Sequence, residues 1–140
     1  MLNEHAKSLG YLGLLPFIAI PFYIIWGNIS YFEGISFYTQ YSAIILSFLG
    51  GILWYDGILN KKPKRQIYFA MLPSLVGWFS LILMPPLVTL CVLSIAFILV
   101  IAYEFKALVM DPWYRSLRIR LTAITLVGHG MMIWLVLKSA

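Results

Sequence analysis

The chain has 140 residues, 62% hydrophobic and 11% charged, with a formal net charge of +5. A soluble domain carries about 25% charged and about 45–50% apolar residues, and a soluble chain of this size cannot bury so much apolar surface in one core. The composition therefore fits lipid as the solvent. The positive balance sits in short stretches between apolar runs, where membrane topology accounts for it and nucleic acid is not required.

A membrane span needs about 20 mostly apolar residues. Five such runs occur: Leu9–Trp26, Phe37–Leu59, Ile67–Met84, Leu87–Phe105 and Leu121–Leu137. Each must be helical, because an unpaired backbone group in hydrocarbon costs several kcal/mol. The expected architecture is an all-α bundle of five transmembrane helices forming a single domain over residues 1–140, with loops too short to build a soluble domain. No cleavable signal pattern follows Met1–Lys7, so the first span is expected to be retained as its own insertion signal.

Nine of the ten basic residues fall on one side of these spans: Lys7, then Lys61, Lys62, Lys64 and Arg65, then Lys106, Arg115, Arg118 and Arg120. Only Lys138 lies on the other side. The positive-inside rule predicts a cytoplasmic N-terminus and a periplasmic C-terminus. An even number of spans would break this alternation. Interfacial aromatics agree, with Trp26, Tyr31, Phe32 and Trp134 at the outer boundary and Trp54, Tyr55, Tyr68, Trp113 and Tyr114 at the inner one. Between spans 4 and 5, Asp111-Pro112 is a good helix start. The helix either runs unbroken from Pro112 into span 5, or Trp113–Arg120 lies along the surface as a basic amphipathic segment attracted to anionic lipid at the cytoplasmic face.

Helices in lipid associate through close packing at small residues. In span 2, Ser47 and Gly51 are four apart with Gly50 beside them, and in span 3 Ala70 and Ser74 are four apart, followed by Gly77. These two faces are expected to meet, because the connecting loop is short. Pro16, Pro21 and Pro73 each remove a helical N–H and free the carbonyls of Leu12, Phe17 and Phe69.

An ionisable residue within a span is a site hypothesis by default. His129 lies about 12 Å along span 5 from its inner end, at 1.5 Å per residue. Arg118, Thr122, Thr125 and His129 share one helical face. The small residues Gly128 and Gly130 flank the histidine. His129 reads either as a proton relay or ligand group, or as a neutral histidine hydrogen-bonded across a helix interface. Asp56 and Glu104 lie near the inner ends of spans 2 and 4, and either one near Arg118 would make an ion pair or the inner mouth of a polar pathway. No metal or other cofactor site is expected. The chain has two histidines and one cysteine, Cys91, and no HExxH, phosphate loop or nucleophile elbow. Ser47 and Ser74 have no evident base partner.

Several strings carry a family resemblance. They are Ser47-Phe48-Leu49-Gly50-Gly51 followed by Trp54, Leu72-Pro73-Ser74-Leu75 with Trp78, and Pro112-Trp113-Tyr114 with Leu117-Arg118 and Leu121-Thr122. Leu9-Gly10-Tyr11 and Leu14-Leu15-Pro16-Phe17 open the chain in the same style. Together they resemble an uncharacterised family of small bacterial inner-membrane proteins, a domain of unknown function that includes mitochondrial transmembrane protein sixty-nine. The resemblance covers nearly the whole chain and implies a multi-pass inner-membrane protein; it implies no activity. The family pattern has a histidine just before the tryptophan of the second span, where this chain has Leu53. A chemistry resting on that histidine is either missing here or taken over by His129.

Three functions follow as expectations. The first is a non-catalytic accessory or assembly subunit packed against another integral membrane complex. The second is an oligomeric proton or small-solute channel or transporter along the polar stripe of span 5. The third is quinone or lipid binding in an aromatic groove near Trp54 and Trp113.

Overall fold

The computed structural model describes residues 2–139, and among them every regular element is helical. The helices are α1 (Leu2–Leu12), α2 (Leu15–Ile25), α3 (Tyr31–Leu59), α4 (Lys64–Leu83), α5 (Pro86–Ala107) and α6 (Pro112–Ser139). Counting α1 and α2 as one broken crossing, five segments are long and apolar enough to span a membrane.

The first span is longer than Leu9–Trp26, and it is divided. Its two halves part at Gly13–Leu14, just before Pro16 in the first turn of α2, where a missing N–H costs nothing. The Tyr41 hydroxyl of α3 donates to the exposed Gly13 carbonyl at 2.6 Å, so the break carries its own hydrogen bond. The other four helices also begin earlier than the apolar runs do. In particular, α6 runs unbroken from Pro112 through the last span, so Trp113–Arg120 is the first part of that helix and not a separate surface segment.

Two turns end their helices in the same way. Gly27, at φ 76°, follows α2, with the Asn28 N–H bonded to the Tyr23 carbonyl and the Gly27 N–H to Ile24. This pair of bonds is the Schellman closure, which needs a left-handed residue. Lys61 occupies the same position after α3 at φ 51°, with Lys62 bonded back to Gly57 and Lys61 to Ile58. A lysine there bears the Cβ strain that glycine escapes.

The α3–α4 hairpin is the most extensive interface in the bundle. Its seam is made by small residues seven apart, not four apart. A Cβ on Gly77 would stand 3.1 Å from Ala43, and one on Gly50 would stand 2.6 Å from the Ala70 carbonyl and 3.3 Å from the Pro73 ring. Gly57 meets Ile67 and Gln66. Gly50, Ala70 and Gly77 lie on this seam as expected, half-buried Ser47 bonds back to the Ala43 carbonyl, and Gly51 lies off it. Gly51 is exposed, and a Cβ there would meet nothing within 4 Å. Ser74 is half-buried and bonds back to the Met71 carbonyl of its own helix. A seven-residue repeat keeps one narrow seam in register along a left-handed crossing, whereas a four-residue step drifts off it.

Around this hairpin, α5 packs on α3, α4 and α6, and α2 packs on α3 and α6. Pro21 frees the Phe17 carbonyl, and that oxygen would stand 2.8 Å from a Cβ on Gly128, so only glycine lets α6 come this close to α2. Gly130, also expected to admit a neighbour, faces open space. The wide exposure of Trp26, Phe32, Tyr68, Trp78 and Trp134 on the periphery is what a lipid-facing surface requires.

Candidate functional site

The stripe on α6 is buried throughout. Arg118, Thr122, Thr125 and His129 are each at most 6% exposed, and His129 is fully enclosed. The α3 and α6 backbones hardly approach one another, so side chains bridge the gap between them.

At the upper end of the stripe the bridge is polar. His129 Nδ1 lies 2.8 Å from the Thr125 carbonyl, which can only accept, so Nδ1 carries the proton. Nε2 then accepts from Ser42 Oγ at 2.7 Å. Tyr38 Oη stands 3.2 Å from Nδ1 as a second acceptor for its proton. Phe17 and Phe97 close over the ring, with centroids 5.6 and 5.5 Å away. Sequence reasoning missed Tyr38 and Ser42. Their signal was a polar pair four residues apart in an apolar span, the spacing of one helical face.

A serine hydroxyl on an imidazole whose other nitrogen is oriented by a carbonyl is the arrangement of an activated nucleophile. Here Ser42 and His129 are both fully buried, and neither lines the two concavities nearest to them.

At the lower end the bridge is ionic. Arg118 donates through Nε and one terminal nitrogen to the two oxygens of Glu104, at 2.8 and 3.1 Å, and through the other terminal nitrogen to Thr122 Oγ1 at 3.2 Å. Glu104 is 1% exposed. The fork-shaped guanidinium matches the carboxylate edge to edge, which is the geometry that offsets burial of both charges. Asp56 takes no part in this pair. It accepts from Gln66 and Asn60, both at 2.7 Å, and faces Lys62 at 3.4 Å. Gln66 also donates to the carbonyl of the fully buried Leu53. Of the two carboxylates expected as partners for Arg118, Glu104 is the one that pairs with it, and Asp56 pairs with Lys62 and Gln66.

Among the described residues, every buried side-chain nitrogen and oxygen has a partner, and His, Cys, Asp and Glu form no group able to hold a metal ion.

Between the two bridges the α3–α6 gap is not filled. An apolar cleft of about 360 Å³ opens there, walled by Leu14, Phe17, Ile45, Leu49 and Leu121 and floored by Arg118, Thr122 and Thr125. A second hollow of about 450 Å³ shares Ile52 and Tyr114 with it and is lined by Asp56, Asn60 and Lys62. Trp113 belongs to a separate basic hollow with Lys7, Tyr11 and Arg120, in which Trp54 has no share. A concavity of about 520 Å³ at the opposite end holds Gln40, whose amide nitrogen donates to Ser36, and Thr89, whose hydroxyl donates to the Ser80 carbonyl.

Five apolar crossings, an enclosed polar seam and a lipid-compatible periphery define a polytopic α-helical membrane protein. Residues 2–134 match the family model described as "Protein of unknown function (DUF3429)", and the chain belongs to that family. It is 30% identical to "Transmembrane protein 69" of Xenopus tropicalis, over 88% of this chain and 52% of that protein. The chain thus spans about half the length of this relative. No solved structure matches it.

Proposed function

We propose that this chain is a non-catalytic accessory or assembly subunit of a larger integral membrane complex. It sits in the bacterial inner membrane with its basic end in the cytoplasm, its N-terminus inside and its C-terminus in the periplasm. The observation that carries the reading is the outward face of α3. Gly51 is exposed there, one turn from half-buried Ser47, and the space beside Gly51 is open where a partner helix would pack. Close approach at small residues is the main means of helix association in lipid. The enclosure of His129 at the end of the α6 stripe supports the same reading over transport. Arg118 is satisfied by Glu104 and Thr122 and His129 by Ser42, Tyr38 and Thr125, and Phe17 and Phe97 seal His129 from the cleft. The distribution of basic residues supports the orientation.

The test is native mass spectrometry of the complex extracted gently from its own membrane. A foreign subunit in fixed stoichiometry is expected, and Gly51→Leu should release it while the bundle stays folded. A homo-oligomer or a lone monomer would overturn the accessory reading, and the homo-oligomer would return attention to transport.

A further inference from the structure

The cleft beside Arg118 is accounted for by neither packing nor the accessory reading. It lies between α1 and α2 on one side and α3 and α6 on the other, with Phe17 and Phe97 as its closed end. On α3 the lining runs along one face, from Ile45 and Leu49 through Ile52 to Asp56 and Asn60. That face is apolar at depth and polar at the basic end of the bundle. On α6 the matching face runs from Thr125 and Leu121 to Tyr114. The cleft is therefore an amphiphilic groove, open toward the basic end through the hollow at Lys62. It also has a lateral opening. The helix α1 rests on α6, where a Cβ on Gly10 would stand 3.1 Å from Leu121, and it hardly touches α3. Exposed Phe48 stands at that rim.

An empty apolar groove of this size forfeits the van der Waals contacts of its walls, and the surrounding solvent is itself made of acyl chains. The head group is chosen by the mouth. Lys62 Nζ lies against Asp56 and donates to the Ala107 carbonyl, and an ammonium has three donors. One donor remains. An adjoining hollow shares Lys62 and is lined by Arg65 and Lys106, and Asp56 is already engaged by Gln66, Asn60 and Lys62. Basic pockets between transmembrane helices favour anionic head groups. We infer that this cleft holds one acyl chain of an anionic phospholipid, with its phosphate at the mouth formed by Lys62, Asn60 and Tyr114.

The experiment titrates the purified full chain in detergent with phosphatidylglycerol or with phosphatidylcholine of identical acyl chains. Binding is read by native mass spectrometry and by the shift in thermal unfolding, since a ligand of the folded state raises its melting temperature. The expected result is one phosphatidylglycerol bound about fivefold more tightly than phosphatidylcholine, the change that one basic side chain near a membrane surface produces. Lys62→Gln should abolish that preference, and Ile52→Trp, at the junction of the two hollows, should abolish retention of both lipids. Equal affinity of the two lipids for the unsubstituted chain would overturn the inference, with no variant needed. Unchanged binding by a folded Ile52→Trp protein would overturn it too, as would a co-purifying isoprenoid quinone that phosphatidylglycerol cannot displace.

Discussion

Ser42 Oγ stands 2.7 Å from His129 Nε2, and the contact ties α3 to α6 across 87 residues of sequence. With Thr125 and Tyr38 on the other ring nitrogen, it holds together two helices whose backbones hardly meet. His129→Ala should therefore act on stability. It removes a fully buried ring and strands two hydroxyls, a loss of about 2–5 kcal/mol. Ser42→Ala should cost about 0.6–1.7 kcal/mol, the range of single hydrogen bonds between transmembrane helices. Unfolding in sodium dodecyl sulfate measures both. Proton flux in reconstituted vesicles should be the same for His129→Ala as for the unsubstituted chain; a loss of flux in a folded variant would revive the relay.

The Glu104–Arg118 pair should respond differently to single and double replacement. Glu104→Gln leaves the Arg118 charge buried without a counter-charge, and breaking a buried pair from one side costs about 3–5 kcal/mol. Glu104→Leu with Arg118→Met removes both charges and keeps the volume. That double variant should be closer in stability to the unsubstituted chain than either single one. A double variant at the sum of the two losses would show that the pair does not act as a unit.

Gly50 and Gly51 are neighbours in sequence with opposite sensitivities. A Cβ on Gly50 would fall 2.6 Å from the Ala70 carbonyl, a backbone atom that cannot step aside. Gly50→Ala should open the α3–α4 seam, at about 1–3 kcal/mol for overpacking. Gly51→Ala meets nothing within 4 Å and should change monomer stability by less than about 1 kcal/mol. Thermal unfolding of the two variants side by side decides this.

Lys61 is strained at φ 51° in a turn built for glycine. Lys61→Gly should raise stability by about 1 kcal/mol, the low end of the left-handed penalty for a residue with a Cβ. An unchanged or lowered melting temperature would count against that strain.

The five crossings were legible in the sequence because hydrocarbon demands long apolar runs, and the chain has them. The pairing of Glu104 with Arg118 was legible as one of two options, since both lie near the inner ends of their spans. The seam between α3 and α4 was legible in part, since Gly50, Ala70 and Gly77 were expected on it and lie there, but its spacing was not. Four-residue spacing drew attention to Ser47 and Gly51, while the packed residues Ala43, Gly50 and Gly57 repeat every seven. One chain offers small residues at both spacings, and only the crossing angle selects between them. Tyr38 and Ser42 were hidden for another reason. Their importance comes from a partner 87 or more residues away, and no local pattern encodes such a contact. The cleft was invisible because it is an absence of side-chain volume between four helices. The break at Gly13 was masked by its neighbours, which continue the apolar run on both sides.

The order in which the chain is made gives the last helix a further role. When α5 has entered the membrane, Ser42 lacks its imidazole and Glu104 lacks its guanidinium, because both partners lie on α6. A nascent bundle at that stage carries an uncompensated carboxyl near one face and an orphan hydroxyl at depth. Insertion of α6 answers both at once. A polypeptide interrupted before α6 therefore displays polar defects that a complete one conceals, a difference on which membrane proteases and insertases can discriminate finished molecules from truncated ones.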